Sequence, residues 1–401
     1  MARAQAIETR ALRNSEVVDC QVGEIRTDRR FELPELCQIF LGRVTSICYL
    51  LALLFYLFLS QWMASPIIGT AVATNMPINS GVFRQCNEKD FGPHLHPTDG
   101  CWNTYALSVL LFSVVIIPLS CLELKELAVI QVIMALFRFI MLLVMSIYSI
   151  VSVAEEDDSS DTSSDDDVFT KFNIQGLLAA VPVFVFAQML QSSIPSLTQP
   201  ISNKRRLVVF YSAVFLVTTI LYSMVGVTVA MYKKNNILEV CSANWKSLTS
   251  PEHGAAVRAL SYFIVLFPAI DIWSAYPLTV IIMANMVENM YNNDPMQTPS
   301  RATRVVHRFF WATMPIVASV FITNLVILDK YDGLIAYFIV FWFPALLQYK
   351  SRKVCEELCL STDTPYSSWY SGNKVVLVVF LFGIVVTLAT FVGFVLPGSL
   401  S

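Results

Sequence analysis

Asp271 is the side chain of this sequence whose type and surroundings point most directly to chemistry. It lies within an apolar run, in the stretch LFPAIDIWSAYPLTV, with Pro268 before it and Pro277 after it. Each proline removes a backbone N–H donor and frees a carbonyl oxygen one turn earlier, which weakens a helix around the carboxylate. A carboxylate beside freed carbonyl oxygens can bind Na⁺, or it can take up and release a proton when burial disfavours its charge.

Arg138 is a second charged side chain in the middle of an apolar run, in MALFRFIML. A charge at the centre of a bilayer costs about 3 kcal/mol, so such residues normally face a cavity or an oppositely charged partner. A guanidinium can hold a carboxylate through two hydrogen bonds, which makes Arg138 a candidate binding residue. The alternatives are a structural ion pair with Asp271 and a side chain that extends to the membrane surface.

A polar break interrupts another apolar run, AAVPVFVFAQMLQSSIPSLTQP, between Pro182 and Pro195. Its polar side chains are Gln188, Gln191, Ser192 and Ser193. Such residues can simply hold membrane helices together, but that role does not require two flanking prolines. We therefore predict a broken helix, which in transporters exposes N–H and C=O groups to a carboxylate or an ion at the bilayer midplane.

The elements that must position these residues are nine apolar runs, which make up most of the chain. Hydrophobic residues account for 55% of the 401 residues and charged residues for 14%, which is not the composition of a soluble domain. Most runs reach the ~20 residues that a spanning helix needs, and they lack the alternating pattern of barrel strands. The sequence thus predicts an all-α polytopic membrane protein with nine transmembrane helices. The runs are Val44–Ala64, Tyr105–Leu122, Leu127–Val153, Ile174–Leu197, Leu207–Tyr232, Ala259–Met286, Phe309–Leu328, Leu334–Tyr349 and Val375–Leu396.

The orientation follows from the Lys and Arg residues between the runs. With a cytosolic N-terminus, 18 of the 27 basic residues fall on the cytosolic side. Eight fall on the other side, including Lys330 between the seventh and eighth runs, and Arg138 lies within a run. This asymmetry favours a cytosolic N-terminus. No apolar core of signal-peptide length precedes Val44, so we expect the first run to act as the insertion signal.

The sequence outside the runs leaves little room for a soluble domain. We predict a cytosolic arm at 1–43 and a membrane domain at 44–397, with a disordered acidic outer loop at 155–167, EEDDSSDTSSDDD. The motifs HExxH, GxSxG, Walker A and CxxC do not occur in the sequence, and its four histidines are scattered. We therefore expect no enzyme activity, no metal or other cofactor and no nucleic-acid partner.

Three of the nine cysteines, Cys86, Cys101 and Cys241, fall in the predicted outer segments. Disulfides persist on the extracellular or lumenal side of a membrane, so one bridge can form among these three residues. The sequence does not choose among the three possible pairs.

The stretch VPVFVFAQMLQSSIPSL resembles the sixth helix of the amino acid/auxin permease superfamily. That helix carries a proline, spaced aromatic residues, a polar break and then a Leu-Pro or Ile-Pro step. Further segments are similar to the transmembrane protein 104 group, and together the resemblance covers roughly Phe31 to Leu396. Those segments are Phe31–Leu36, Cys101–Trp102, Leu136–Met141, Ile194–Leu197, Ser202–Arg205, Leu266–Pro268 and Tyr276–Pro277.

The resemblance implies an inverted-repeat fold of five helices, five inverted helices and an eleventh, in which the nine runs correspond to the third to the eleventh. The first two helices, one of which is the family's other broken helix, are then expected to be missing. By position, Gln191 and Ser192 would line the break in the sixth helix, and Asp271 and Ser274 would lie where the eighth helix contributes ion ligands. Asp271 stands where a small hydroxyl residue is expected, which favours H⁺ over Na⁺ as the coupling ion.

The same resemblance implies transport of neutral amino acids by alternating access, coupled to H⁺ or Na⁺, with the amino acid and the lipid bilayer as partners. The expected substrate and ion site consists of Asp271, Ser274, Gln188, Gln191, Ser192 and Arg138. The alternatives are a membrane sensor or scaffold that does not transport, and a truncated, inactive transporter. The resemblance also implies a lysosomal, endosomal or plasma membrane location.

Overall fold

The computed structural model describes residues 33–75, 83–86, 99–122, 124–159, 174–190, 194, 198, 206–233, 237, 241–250, 252–291, 300–358 and 372–395. In this part of the chain the regular elements are helical. The α-helices are α1 (Leu33–Leu41), α2 (Arg43–Asn75), α3 (Asp99–Ser120), α4 (Leu124–Ser159), α5 (Ile174–Ala187), α6 (Leu207–Lys233), α7 (Ala255–Tyr291), α8 (Arg301–Phe321), α9 (Leu325–Tyr337), α10 (Phe343–Glu357) and α11 (Asn373–Val395). A 3₁₀ helix covers Cys241–Thr249, and a π-helical turn, Phe338–Trp342, joins α9 to α10.

Seven helices of the described residues are long and apolar enough to cross a membrane, which confirms the polytopic all-α fold. The candidate spans are Arg43–Asn75, Cys101–Ser120, Val129–Ala154, Leu207–Lys233, Ala255–Glu288, Ile327–Glu357 and Asn373–Val392. The predicted count of nine is not confirmed. Helix α5 has only 14 residues, and α8 carries three arginines, Arg301, Arg304 and Arg308, among its first eight residues.

The boundary between the seventh and eighth predicted runs differs from the expectation. The sequence suggested a connection at 329–333, but that segment is helical and belongs to α9. The chain instead turns at 322–324, where the Asn324 side-chain oxygen accepts a hydrogen bond from the Ile327 backbone N–H at 3.0 Å. Such a side-chain cap starts a helix by satisfying one of its free N–H groups. The polar residues of LDKYDG therefore lie inside a membrane helix rather than in a loop.

The end of α4 also differs from the expectation. The acidic loop was predicted from Glu155 onward, whereas α4 continues to Ser159. Extending a formed helix costs far less than starting one, so a long apolar helix can run on through the first acidic residues. The remainder of the predicted loop, 160–167, lies outside the described residues.

The chain divides into two compact units. Unit 1 consists of Met1–Tyr56, Phe172–Val217 and Lys330–Ser401, and unit 2 of Leu57–Lys171 and Thr218–Asp329. Each unit is therefore built from separate stretches of sequence.

Unit 2 has a core in which α3 packs with α7, α8 and the second half of α2. Its buried members are Ala64, Ile68, Tyr105, Val109, Phe112, Ile116, Ala269, Tyr276, Val280, Ala312 and Ile316. Two tyrosine hydroxyls donate to backbone carbonyls of α8: Tyr105 to Ser319 at 3.0 Å and Tyr276 to Ala312 at 2.8 Å. A buried phenol needs such a partner, so these bonds fix α3 and α7 against α8.

Unit 1 is held together by close helix contacts. A Cβ built on Gly333 of α9 would lie 2.9 Å from Pro182 Cα in α5, and one built on Gly383 of α11 would lie 2.6 Å from Phe341 Cβ in the π-helical turn. Only glycine lets the backbones approach this closely, as is common between membrane helices. The hydroxyls of Tyr337 and Thr390, 3.1 Å apart, add a hydrogen bond between α9 and α11.

The predicted N-terminal arm contains an ordered helix, α1, while residues 1–32 lie outside the described part. Leu36 and Phe40 of α1 are buried and pack against Leu347 and Val354 of α10. Gly42 separates α1 from α2 with a φ of 89°, a left-handed conformation that glycine adopts without steric cost. Part of the arm is therefore docked on the membrane domain of unit 1.

Candidate functional site

The site in unit 2 is centred on an ion pair between α4 and α7. The Arg138 guanidinium donates twice to one carboxylate oxygen of Asp271, from Nη2 at 2.6 Å and from Nε at 3.1 Å to Oδ2. The Asp271 side chain is 17% exposed and that of Arg138 is 45% exposed. The other carboxylate oxygen, Oδ1, is buried and has no hydrogen-bond partner among the described residues. The pair thus has one acceptor oxygen to which no donor in the described part of the chain is bonded.

Two further polar groups of α4 and α7 surround this pair. The Ser274 hydroxyl donates to the Asp271 backbone carbonyl at 2.8 Å, within α7. The Gln131 side-chain amide of α4 donates to the Ser274 backbone carbonyl. Gln131 and Arg138 are seven residues apart, so they lie on the same face of α4. Gln131 was not predicted as a site residue, although its polar side chain and its spacing from Arg138 are visible in the sequence.

The prolines on either side of Asp271 do not interrupt the helix. Helix α7 runs from Ala255 to Tyr291 through both Pro268 and Pro277. Neighbouring helices can re-satisfy backbone groups that proline frees in a membrane helix. Asp271 is therefore presented from a continuous helix.

The predicted broken helix is described only in its first part, which belongs to unit 1. Helix α5 ends at Ala187, and its last turn tightens, with the Met189 N–H donating to the Phe186 carbonyl at 3.1 Å. Gln188 follows directly, so the helix ends where the sequence placed the polar break. Gln191 and Ser192 lie outside the described residues. The structure thus brings together three predicted site residues, Asp271, Arg138 and Ser274, and places Gln188 in the other unit.

Asp332 of α9 is a buried acidic residue in a segment predicted as a connection between two helices. Its exposure is 0%, and it lies inside the candidate span Ile327–Glu357. Asp332 was not predicted to lie in a helix because it belongs to the short polar stretch LDKYDG, which resembles a loop between two apolar runs. Helix α9 in fact begins at Leu325, directly after the cap at Asn324.

Of the three cysteines predicted to lie in outer segments, two form a disulfide bridge. Cys86 and Cys101 form a disulfide with a Cα–Cα distance of 5.6 Å, and Cys241 has a free thiol. A backbone hydrogen bond supports the bridge, since the Cys86 N–H donates to the Ala73 carbonyl at 3.1 Å. The bridge therefore fastens residues 83–86 to the start of α3 next to the end of α2.

A charged cluster lies near the C-terminal ends of α3 and α7 and the N-terminal part of α8. The buried Arg308 donates from Nη1 to the Leu122 carbonyl at 2.9 Å, just past the end of α3. His307 Nδ1 lies 3.2 Å from the buried carboxylate of Glu288 in α7. A guanidinium at a helix C-terminus satisfies free carbonyls and opposes the helix dipole. This cluster positions helices of unit 2 and lies outside the Arg138–Asp271 site.

Comparisons with known proteins place the chain in a family. The family model described as "Transmembrane amino acid transporter protein" matches residues 35–395. The chain is similar to "Transmembrane protein 104" of Gallus gallus, with 24% identity over 185 residues, 45% of this chain and 36% of the relative. It is similar to "Transmembrane protein 104" of Mus musculus, with 23% identity over 187 residues and the same coverage. These matches span little more than a third of either relative, whereas the family match extends over nearly all of the chain. With its apolar helices, the chain is a multi-pass membrane protein that belongs to the transmembrane amino acid transporter family.

Proposed function

We propose that this chain transports neutral amino acids by alternating access, coupled to H⁺ or Na⁺. The family supplies the general class, an amino acid transporter-like membrane protein. The choice of substrate, the coupling and the mechanism rest on the residues around Asp271.

The observation that carries the proposal is the unused oxygen of Asp271. A buried acceptor without a hydrogen bond is costly, and in native structures it normally indicates a ligand, an ion or water. A substrate ammonium group is a donor of the right charge for this oxygen. The site is thus ready to bind a cationic group without breaking any existing bond of Oδ1.

The charges of the pair match a neutral amino acid. Arg138 offers a guanidinium for the substrate carboxylate, and Asp271 offers a carboxylate for its ammonium group. The pair is neutral as a whole, so a zwitterion leaves no net charge in the site. A charged substrate side chain would add an unbalanced charge within the membrane, which is costly.

Exchange of partners gives a mechanism for alternating access. In the empty state Arg138 and Asp271 bind each other and hold α4 against α7. A bound zwitterion supplies both charges with new partners, so the direct pair is no longer needed and the two helices can separate. In this mechanism, the direct Arg138–Asp271 ion pair is present when the site is empty and closed.

A second candidate is a membrane sensor or scaffold that binds no transported substrate. The ion pair itself favours it, because Arg138 and Asp271 already neutralise each other and can act as a purely structural link. The two candidates differ in what happens when Asp271 is neutralised. Transport requires the carboxylate, whereas a structural link requires only a stable contact between the helices.

The proposed location is a lysosomal, endosomal or plasma membrane with the N-terminus in the cytosol. The distribution of Lys and Arg supports the orientation. The Cys86–Cys101 disulfide supports it further, because disulfides persist on the extracellular or lumenal side, which is where this orientation predicts the two cysteines to lie.

Counterflow into proteoliposomes tests the function without any ion gradient. Vesicles loaded with an unlabelled neutral amino acid should accumulate the labelled form through the wild-type protein. Asp271→Asn should abolish this exchange, and Glu252→Gln, which changes an exposed carboxylate of the same unit, should leave it intact. Absence of counterflow through a folded wild-type protein, for every neutral amino acid tried, would favour the sensor or scaffold.

A further inference from the structure

Three arginines follow one face of α8 near its N-terminal end. Arg301, Arg304 and Arg308 are separated by three and four residues, which places them on one side of the helix. Ala312 and Pro315 continue this face and are buried. Arg301 is exposed, Arg304 is half-buried and Arg308 is 7% exposed. The three cations therefore extend from the exposed end of α8 toward the core of unit 2.

The buried guanidinium of Arg308 is bonded to carbonyl groups rather than to a carboxylate. Its Nη1 donates to the Leu122 carbonyl at 2.9 Å and to that of Cys121 at 3.4 Å. Its Nε is buried and has no hydrogen-bond partner among the described residues. A charge removed from water is costly unless an opposite charge accompanies it. Within the described part of the chain, Arg308 therefore has no counter-anion.

Arg301 and Arg304 add two positive charges to this region. The Nε of Arg304 is buried and, like that of Arg308, has no partner in the part of the chain that the structure describes. Glu288 of α7 is a carboxylate of the same region, but its contact is with His307 at 3.2 Å. No salt bridge joins the three arginines to a carboxylate of the described residues. This end of α8 thus attracts an anion from outside the described chain.

Exposed apolar side chains follow the arginines along α8. Val305 and Phe309 lie four and eight residues after Arg301, so the three form one ridge on the helix surface. Val305 is 39% exposed and Phe309 is 53% exposed. Beside them, Val306 is 63% exposed and Phe310 is 50% exposed. Contiguous exposed apolar surface on a membrane protein marks contact with lipid. The surface of α8 therefore changes from cationic to apolar within about two turns, as a bilayer changes from headgroups to acyl chains.

We propose that the N-terminal half of α8 binds an anionic phospholipid at the membrane surface. The lipid phosphate accepts hydrogen bonds from Arg301 and Arg304 and gives Arg308 a counter-anion. The acyl chains lie along Val305 and Phe309. With the proposed orientation this is the cytosolic leaflet, whose anionic lipids attract basic residues next to membrane helices. The inference does not require that the protein transports anything.

A phospholipid fits this surface better than a soluble anion. All three basic residues are arginines, whose planar guanidinium groups bind phosphate oxygens through two hydrogen bonds. A soluble phosphate compound would have to reach these groups beside the exposed rings of Phe309 and Phe310. A phospholipid headgroup is already held at that depth by its own acyl chains, so it binds without leaving the bilayer.

Native mass spectrometry of the delipidated full chain in detergent micelles tests the binding. The protein is titrated with phosphatidylserine, with phosphatidylinositol and with phosphatidylcholine, whose phosphate is neutralised by its own choline cation. The anionic lipids should form the more persistent adducts. They should also raise the unfolding temperature, because they bind the folded state. Binding should weaken as the NaCl concentration rises, because salt screens the attraction.

Removal of charge locates the headgroup. The double variant Arg301→Gln, Arg304→Gln should bind anionic lipid about 30-fold more weakly, since each basic residue near a membrane surface contributes about fivefold. It keeps Arg308 and the bonds of that residue to the carbonyls beyond α3, so it should fold. The matched control Lys350→Gln, Lys353→Gln removes two exposed charges from α10 and should leave binding unchanged.

Removal of a ring tests the contact with the acyl chains. Phe309→Ala should weaken the binding of anionic lipid. Phe321→Ala removes an equally exposed ring from the other end of α8, where no arginine lies, and should have no effect. Inorganic phosphate and glycerophosphoserine, which carry the anion without acyl chains, should not displace the lipid at equal concentration.

Several results would overturn this inference. One is equal binding of phosphatidylcholine and the anionic lipids, and another is unchanged binding in the Arg301→Gln, Arg304→Gln variant. An equal loss in the Lys350→Gln, Lys353→Gln variant would show general charge attraction in place of a site. Displacement by inorganic phosphate or glycerophosphoserine would identify a site for soluble anions. A protein that binds anionic lipid through α8 but shows no counterflow would leave the inference standing and refute the transport proposal alone.

Discussion

Arg138 and Asp271 meet at a single oxygen atom. Two N–H groups of the guanidinium donate to Oδ2, while Oδ1 is buried and accepts no hydrogen bond from the described residues. A side-on pair would use both oxygens. The asymmetric arrangement therefore joins α4 to α7 through one carboxylate oxygen and leaves the other oxygen without a donor among the described residues.

Breaking one side of this pair should destabilise the protein more than removing both sides. Arg138→Met leaves a buried carboxylate without its cation and should lower the free energy of unfolding by on the order of 2 kcal/mol. The double variant Arg138→Met, Asp271→Leu removes both charges and should recover most of that loss. Unfolding in mixed detergent micelles measures all four proteins of the cycle. Losses that simply add in the double variant would show that the two side chains do not interact in the membrane.

The ligand should need both of its charges. A neutral amino acid should raise the thermal unfolding temperature of the wild-type protein, because it binds the folded state. Its methyl ester lacks the carboxylate for Arg138, and its N-acetyl derivative lacks the ammonium group for Asp271, so neither should stabilise. Equal stabilisation by all three compounds would place the binding site away from this pair.

Gly333 should tolerate no side chain. A Cβ at this position would overlap Pro182, including its backbone, and backbone atoms cannot give way as a flexible side chain can. Gly333→Ala should therefore reduce thermal stability and the yield of folded protein. Gly226 in α6 is the matched control, because a Cβ there meets nothing within 4 Å. Gly226→Ala should be neutral or stabilise the helix by up to about 1 kcal/mol. Equal effects of the two substitutions would argue against close packing of α9 on α5.

The Cys86–Cys101 bridge should contribute to stability, whereas Cys241 should not. The bridge joins residues 15 apart in sequence. A loop of that length corresponds to about 3 kcal/mol in the chain-entropy account. Cys86→Ser should lower the unfolding temperature, and Cys241→Ser should leave it unchanged. Peptide mapping without reductant should recover the two cysteines in one linked peptide. A linked peptide that contains Cys241 instead would contradict the pairing.

The fold could be predicted from the sequence because the bilayer constrains it so strongly. Long apolar runs such as Leu207–Tyr232 can only be helices in lipid, and the structure gives α6 there with nearly the same limits. The pairing of Arg138 with Asp271 could also be anticipated as one alternative, since two opposite charges in the third and sixth apolar runs have few other ways to be neutralised. The prediction left open which role the pair has.

The exact helix boundaries and the buried position of Asp332 could not be predicted, because they depend on local interactions that a hydropathy pattern does not contain. The start of α9 is set by one side-chain cap at Asn324, so the buried position of Asp332 could not be inferred from a polar stretch that reads as a loop. The seventh run, Phe309–Leu328, was predicted too long at its end because α8 stops at Phe321 and the chain turns at 322–324. Helix α8 instead begins earlier, at Arg301, and its Arg308 is buried against carbonyls just past the end of α3.

The central claim is that Arg138 and Asp271 form the substrate site and are not only a link between helices. Uptake of a labelled neutral amino acid by the wild-type protein and by the charge-free double variant Arg138→Met, Asp271→Leu tests it most directly, with both proteins shown to be folded and equally reconstituted. We predict uptake by the wild-type protein and none by the double variant. Uptake at the same rate by both proteins would contradict the claim, because transport would then proceed without either charge.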